Sequence, residues 1–167
     1  MKEFRKRLFP TLLLDRKTFM KSKNFKDRRY VGNPLNTIQI FNQIGVDEIA
    51  ILDVNAFQDG INYKYLSQIA AEAFVPLAYG GGIKCLEDAE RIISLGFEKI
   101  ILCSSFLDEN TISRDISNAL GASSVTLCLN VKKRWLSEGY SIYDHRVGKS
   151  TAKFNINLVQ KIENLGY

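Results

Sequence analysis

The stretch VPLAYGGGIKCLEDAERIISLGFEKIILCSS, residues 75–105, decides the fold. It opens with a short apolar run, 75–79, then breaks at Gly80, Gly81 and Gly82. An amphipathic segment follows over 85–96, with Leu86, Ala89, Ile92 and Ile93 on one face and Gly96 as a stop. A second apolar run, KIILCSS, fills 99–105. Both runs are nearly continuous in apolar residues, as strands covered on two faces require. The stretch therefore reads as strand, helix, strand. Glycines without side chains suit a sharp turn or a close approach to backbone N–H groups.

Working outward, the same pattern repeats. Further strands are expected at 8–14, 49–54 and 124–131. Asn33-Pro34 supplies an N-cap and first-turn pair for a helix ending at Gly45. Other helices are expected over 62–73, 111–120 and 155–165, and hairpin insertions over 18–30 and 135–149. Five strand–helix units with a period near 25 residues predict an α/β fold, a partial (β/α)8 barrel in a single domain over 1–167. A complete barrel takes eight units and roughly 250 residues. Leu165-Gly166-Tyr167 repeats the lead-ins Ile44-Gly45-Val46 and Leu95-Gly96-Phe97 with no strand after it, so a C-terminal truncation is expected.

Charge is uneven. Residues 1–29 hold eleven Lys and Arg against three acids, a net of +8, in a chain whose total is +5. No nucleic-acid motif accompanies that basic region, and a phosphorylated small molecule or an acidic partner surface would use the same charge. No apolar stretch approaches the ~20 residues of a membrane span. The N-terminal apolar run is short for a secretory signal, so a cytoplasmic protein with no membrane partner is expected. Cys85, Cys103 and Cys128 are odd in number and widely spaced, which points to core packing instead of disulfides or zinc. No metal or cofactor is expected.

In a barrel, chemistry sits at the C-terminal strand ends. Those positions are Leu13, Asp53, Gly80 to Gly82, Cys103 with Ser104, and Asn130. Gly81, Gly82, Cys103 and Ser104 are candidates for holding a phosphate, and Lys21 on the first insertion could cover the mouth.

Several stretches carry a family resemblance: RLFPTLLLD (7–15), KSKNF (21–25), GVDEIAILDVNA (45–56), the 75–105 block, SVTLCLNVKK (124–133) and YDHRVGKST (143–151). Together they resemble the cyclase subunit of imidazole glycerol phosphate synthase, the barrel of histidine biosynthesis. The resemblance implies a twin-phosphate substrate at the barrel mouth. It also implies ammonia delivered through the barrel from a glutaminase subunit docked at the opposite face. Two aspartates at the ends of strands 1 and 5 would serve as acid and base; Leu13 and Asn130 stand there instead. Neither titrates usefully, and losing one such group typically slows a reaction ~10²–10⁴-fold. The family's ring of charges at the ammonia entrance is matched by Arg7, Glu48 and Lys99.

With the entrance kept and the cyclase acids lost, the LLLD form of the strand-1 motif (12–15) resembles a cyclase-like branch associated with glycosyl amidation in surface-polysaccharide gene clusters, a branch from which Asn130 still departs. Three functions are therefore expected to compete. The first is an ammonia-handling barrel serving glycan amidation; the second is a working cyclase. The third is a non-catalytic phosphate- or partner-binding remnant, self-associating through open edges of strands 1 and 5.

Overall fold

The computed structural model describes residues 6–23, 26–103, 112–134, 138–144 and 147–164. Its main sheet has seven strands in the order β3-β2-β1-β4-β5-β6-β7. The strands are β1 (Thr11–Asp15), β2 (Thr18–Lys23), β3 (Lys26–Gly32), β4 (Ile49–Asp53), β5 (Leu77–Gly80), β6 (Lys99–Leu102) and β7 (Val125–Leu127). β1, β4, β5, β6 and β7 run parallel, each beside the next in sequence, while β2 and β3 add antiparallel to β1. This is the α/β architecture of a partial (β/α) barrel, with the barrel not closed.

Helices cover the outer face: α1 (Pro34–Ile44), the short α2 (Ala56–Asp59), α3 (Tyr63–Glu72), α4 (Leu86–Ser94) and α5 (Ile112–Leu120). The start of α1 follows from its cap. The Asn33 side chain accepts from the N–H groups of Leu35 and Asn36 at 3.0 and 3.4 Å, and Pro34 takes the position where no N–H is needed. Gly45 ends the helix at φ 74°, its N–H donating to Phe41 O. Between helices and sheet lies the main core, including Leu14, Ile51, Leu77, Tyr79, Ile92, Phe97 and Ile100. Tyr79 and Phe97 meet edge to face at 5.8 Å and 74°. Burying each such side chain contributes roughly 1.5–3 kcal/mol.

The other sheet face carries a second apolar cluster. Ala50, Ala78 and Ile101 form it, with Leu52 and Cys128 packed against them. Register explains the composition. Thr11, Ala50, Ala78 and Lys99 lie in one row across the parallel strands, and Leu13, Leu52, Gly80, Ile101 and Thr126 in the next.

Three sequence expectations need correction. The first strand begins at Thr11, not at residue 8, because Pro10 has no N–H for the ladder. Pro10 still accepts from Ala50 N, and Leu8 O from Asp47 N. The apolar run 124–131 is not one strand. β7 stops at Leu127, and Val131 begins a separate antiparallel sheet of β8 (Val131–Lys133), β9 (Tyr140–Asp144) and β10 (Lys149–Phe154), which replaces the simple hairpin expected at 135–149. Tyr143 N donates to Asn130 O at 2.8 Å and turns the chain toward that sheet. Finally, the edge of β1 is not open over Leu13–Asp15, where β2 pairs with it; β7 ends the sheet on the other side. A last helix, α6 (Ile156–Asn164), follows β10.

Candidate functional site

At the C-terminal end of β4 the Asp53 side chain folds back on its own loop. Its Oδ1 accepts from the N–H groups of Asn55 and Ala56, both at 3.0 Å, and so starts α2. The Tyr79 hydroxyl donates to Oδ2 at 3.5 Å. Burial pushes the Asp53 carboxyl above its ordinary range, and the hydrogen bonds only partly offset it.

The three glycines lie directly beside this loop. A Cβ on Gly81 would stand 2.3 Å from Asp53 O, and one on Gly82 2.6 Å from Ala56 O. Both residues have positive φ, 131° and 69°. Gly80 is close-packed too, 2.8 Å from Ile101 O by the same measure. The glycine run is therefore required by two backbones in contact, a constraint independent of any ligand.

Next to it, β1 ends at Asp15. Arg28 of β3 donates to Asp15 Oδ2 at 2.7 Å and to Asn55 Oδ1 at 3.2 Å, while Asn55 Nδ2 donates to Asp15 Oδ1. Burial raises the Asp15 carboxyl, but the bonds from Arg28 and Asn55 outweigh it and hold it below its ordinary range. The triad pins the β2–β3 hairpin against the β4–α2 loop. Below it opens a cleft of about 610 Å³ lined by Asp15, Arg16, Thr18, Asp53, Asn55 and Asp59 among others. The sequence reading missed Arg28, whose approach depends on hairpin register. Lys21, expected over the mouth, stands exposed in the β2–β3 ladder opposite Arg29.

Leu13 sits half-buried on β1, level with Leu52 of β4 and Met20 of β2. Asn130 is half-buried beyond β7, its Nδ2 donating to Cys103 Sγ at 3.1 Å. A hydrogen bond from Cys103 pulls the Cys128 thiol down to about 7 against the effect of burial. Asn130, Cys103 and Cys128 are thus one cluster. Ser104 lies outside the described residues.

The opposite end of the sheet brings Arg7, Glu48 and Lys99 together. The Lys99 ammonium is 2.8 Å from both oxygens of Glu48, and Arg7 Nη2 is 3.3 Å from Oε2. Glu48 is 2% exposed, whereas the Arg7 side chain is 60% exposed. Lys99 also lies over the Phe9 ring at 6.0 Å. From this buried carboxylate toward the Cys103 end, the inner sheet face presents Ala50, Ala78, Leu52, Ile101 and Cys128. Among the described residues no cluster of three or more metal-ligating side chains occurs, and no helix is long and apolar enough to cross a membrane.

Sequential parallel strands, outer helices and loops at the strand C-terminal ends define a (β/α) barrel-type protein. Comparison with known families is more specific: the chain belongs to the histidine biosynthesis protein family, whose model matches residues 7–167. It is 40% identical over 164 residues to a Leptospira borgpetersenii protein provisionally named imidazole glycerol phosphate synthase subunit HisF. It is 38% identical over 164 residues to a Vibrio vulnificus protein provisionally named subunit hisF3, and 30% identical over 163 residues to the Clostridium botulinum subunit HisF. The three alignments cover 96–97% of this chain and 63–65% of those relatives' lengths.

Proposed function

We propose that this chain is a HisF-like barrel subunit that pairs with a glutaminase and carries ammonia to a site at the strand C-terminal ends, for amidation of a sugar in surface-polysaccharide synthesis. The observation that supports it most is Glu48, buried yet bound to both Lys99 and Arg7. Burying a carboxylate is expensive, and an apolar residue would pack there more favourably. A charged gate at the foot of an apolar face is what passage of one small neutral molecule asks for. Ammonia fits that description.

The other end supports loss of the cyclase step. Leu13 offers no proton, and the Asn130 amide is engaged with Cys103. Asp15 does not replace them, since Arg28 and Asn55 hold it ionised. A phosphate group of the substrate would rest on the Gly81-Gly82 loop, with Cys103 and Ser104 as the other candidate contacts. The test is to mix the purified chain with its cognate glutaminase subunit and measure co-elution and glutamine hydrolysis. A stable complex with raised hydrolysis is expected; no complex and no stimulation would sink the proposal.

The names of the relatives favour a second reading, imidazole glycerol phosphate synthase activity in histidine biosynthesis. It requires that the chain restore growth to a histidine auxotroph lacking the cyclase. With Leu13 and Asn130 at the acid–base positions, no growth is expected. A chain that neither binds a glutaminase nor cyclises would leave the phosphate- or partner-binding remnant, for which dimer formation through the β7 edge is the distinguishing observation.

A further inference from the structure

β6 and β7 pair in register, Ile100 with Val125, Ile101 with Thr126 and Leu102 with Leu127. The Cys128 N–H donates to Leu102 O at 2.8 Å, so the pairing continues one step further. Cys103 and Cys128 therefore stand opposite each other on adjacent strands. Neighbouring strands are ~4.7–4.9 Å apart, inside the Cα separation of roughly 4.4–6.8 Å that a disulfide spans. The Cys103 thiol hydrogen-bonds Cys128, and its sulfur accepts from Asn130 Nδ2 at 3.1 Å. Both cysteines are half-buried, and Cys128 packs against the cluster of Ala50, Ala78 and Ile101.

Cys85 makes an internal contrast. It is exposed at the start of α4. The Asp88 N–H draws its thiol down, but burial and the Glu87 and Asp88 carboxylates outweigh that and push it up. The hydrogen bond from Cys103 lowers the Cys128 thiol against the effect of burial, which favours its thiolate. Of the described cysteines, the half-buried pair is the one prepared to react.

We propose that Cys103 and Cys128 form a redox modification site, a dithiol that a peroxide closes into an intrachain disulfide across the ends of β6 and β7. The Cys128 thiolate attacks one peroxide oxygen; the O–O bond breaks and hydroxide leaves, taking a proton to become water. The product is a Cys128 sulfenic acid. The Cys103 thiolate then attacks the Cys128 sulfur, the S–O bond breaks, and hydroxide again leaves as water. Two thiols lose two electrons and two protons in all, and one peroxide becomes two waters. The site is independent of the ammonia-carrying proposal, since it needs neither the Glu48 end nor a glutaminase.

The test treats the full chain with one equivalent of hydrogen peroxide at pH 7. Remaining thiols are then alkylated under denaturing conditions, and non-reduced peptides are analysed by mass spectrometry. A peptide pair joined through Cys103 and Cys128 is expected, forming on the order of tenfold faster than any change at Cys85. Cys85→Ser should leave that rate unchanged. In Cys103→Ser the sulfenic acid has no resolving thiol, so dimedone should label Cys128. Recovery of both Cys103 and Cys128 as free thiols while Cys85 is oxidised would overturn the proposal. So would cross-links found only between molecules through Cys85. The unsubstituted chain alone decides the matter, so a variant that failed to fold would not remove the test.

Discussion

Glu48 and Lys99 face each other at 2.8 Å across two different strand entrances, and the carboxylate is almost entirely buried. Removing only the cation leaves that buried charge with Arg7, 3.3 Å away and largely in solvent. Breaking a buried pair from one side typically costs about 3–5 kcal/mol; Lys99→Met should fall near the lower end, because Arg7 remains. The double change Glu48→Leu/Lys99→Met should recover most of that loss. Urea unfolding midpoints of the three proteins check the prediction.

Gly81 and Gly82 hold the β5–α4 loop against the backbone of Asp53 and Ala56. Gly81→Ala combines an unfavourable φ of 131° with a 2.3 Å clash and should lose more than about 2 kcal/mol. Gly45→Ala is the control. Its φ is 74° but its Cβ meets nothing within 4 Å, so a loss of about 1 kcal/mol is expected. Thermal unfolding distinguishes the two, and equal losses would show that the loop contact is unimportant.

Asp15 and Asp53 should affect stability in opposite senses as pH changes. The folded-state pKa of Asp15 lies below 3.8, so its contribution is present above that value and is lost as pH falls through the folded pKa. Asp15→Asn should therefore weaken the protein at pH 7, by about 1 kcal/mol given the exposure of Arg28, and should matter progressively less as pH falls below 3.8. Asp53 has a raised pKa, so its ionisation opposes folding as pH climbs above 3.8. Asp53→Asn keeps an acceptor for Asn55 and Ala56, and should flatten the pH dependence in mild acid without lowering stability at pH 7. Urea titrations between pH 2 and 7 measure both.

Leu13 occupies an apolar position level with Leu52 and Met20. Leu13→Asp should reduce stability at pH 7 by about 2 kcal/mol, because a half-buried carboxylate gains no partner. The loss should shrink as pH drops and the new carboxyl is protonated. A pH-independent loss would instead point to packing alone.

Much of the sheet was legible because buried parallel strands carry an apolar signal along their whole length, as in IAILD and KIIL. The start of α1 was legible because Asn33-Pro34 and Gly45 act within a few residues of the backbone they control. What failed depended on partners distant in sequence. SVTLCLNV reads as one strand, yet the hydrogen bond from Tyr143 N to Asn130 O takes its end into a second sheet. Arg28 reads as one of many N-terminal cations, and only the β2–β3 register selects it to meet Asp15 and Asn55. The meeting of Arg7, Glu48 and Lys99 could be placed from strand starts, whereas the near-complete burial of Glu48 could not. The glycine run was legible as a close approach, but its partner is the chain's own backbone.

The central claim is that the Arg7–Glu48–Lys99 end is the entrance used with a glutaminase. The most direct measurement is glutamine hydrolysis by the cognate glutaminase subunit, with the unsubstituted chain and with Glu48→Leu/Lys99→Met at matched folding. The account predicts stimulation by the first, and loss of most of that stimulation with the second. Equal stimulation by both, or by neither, would contradict it.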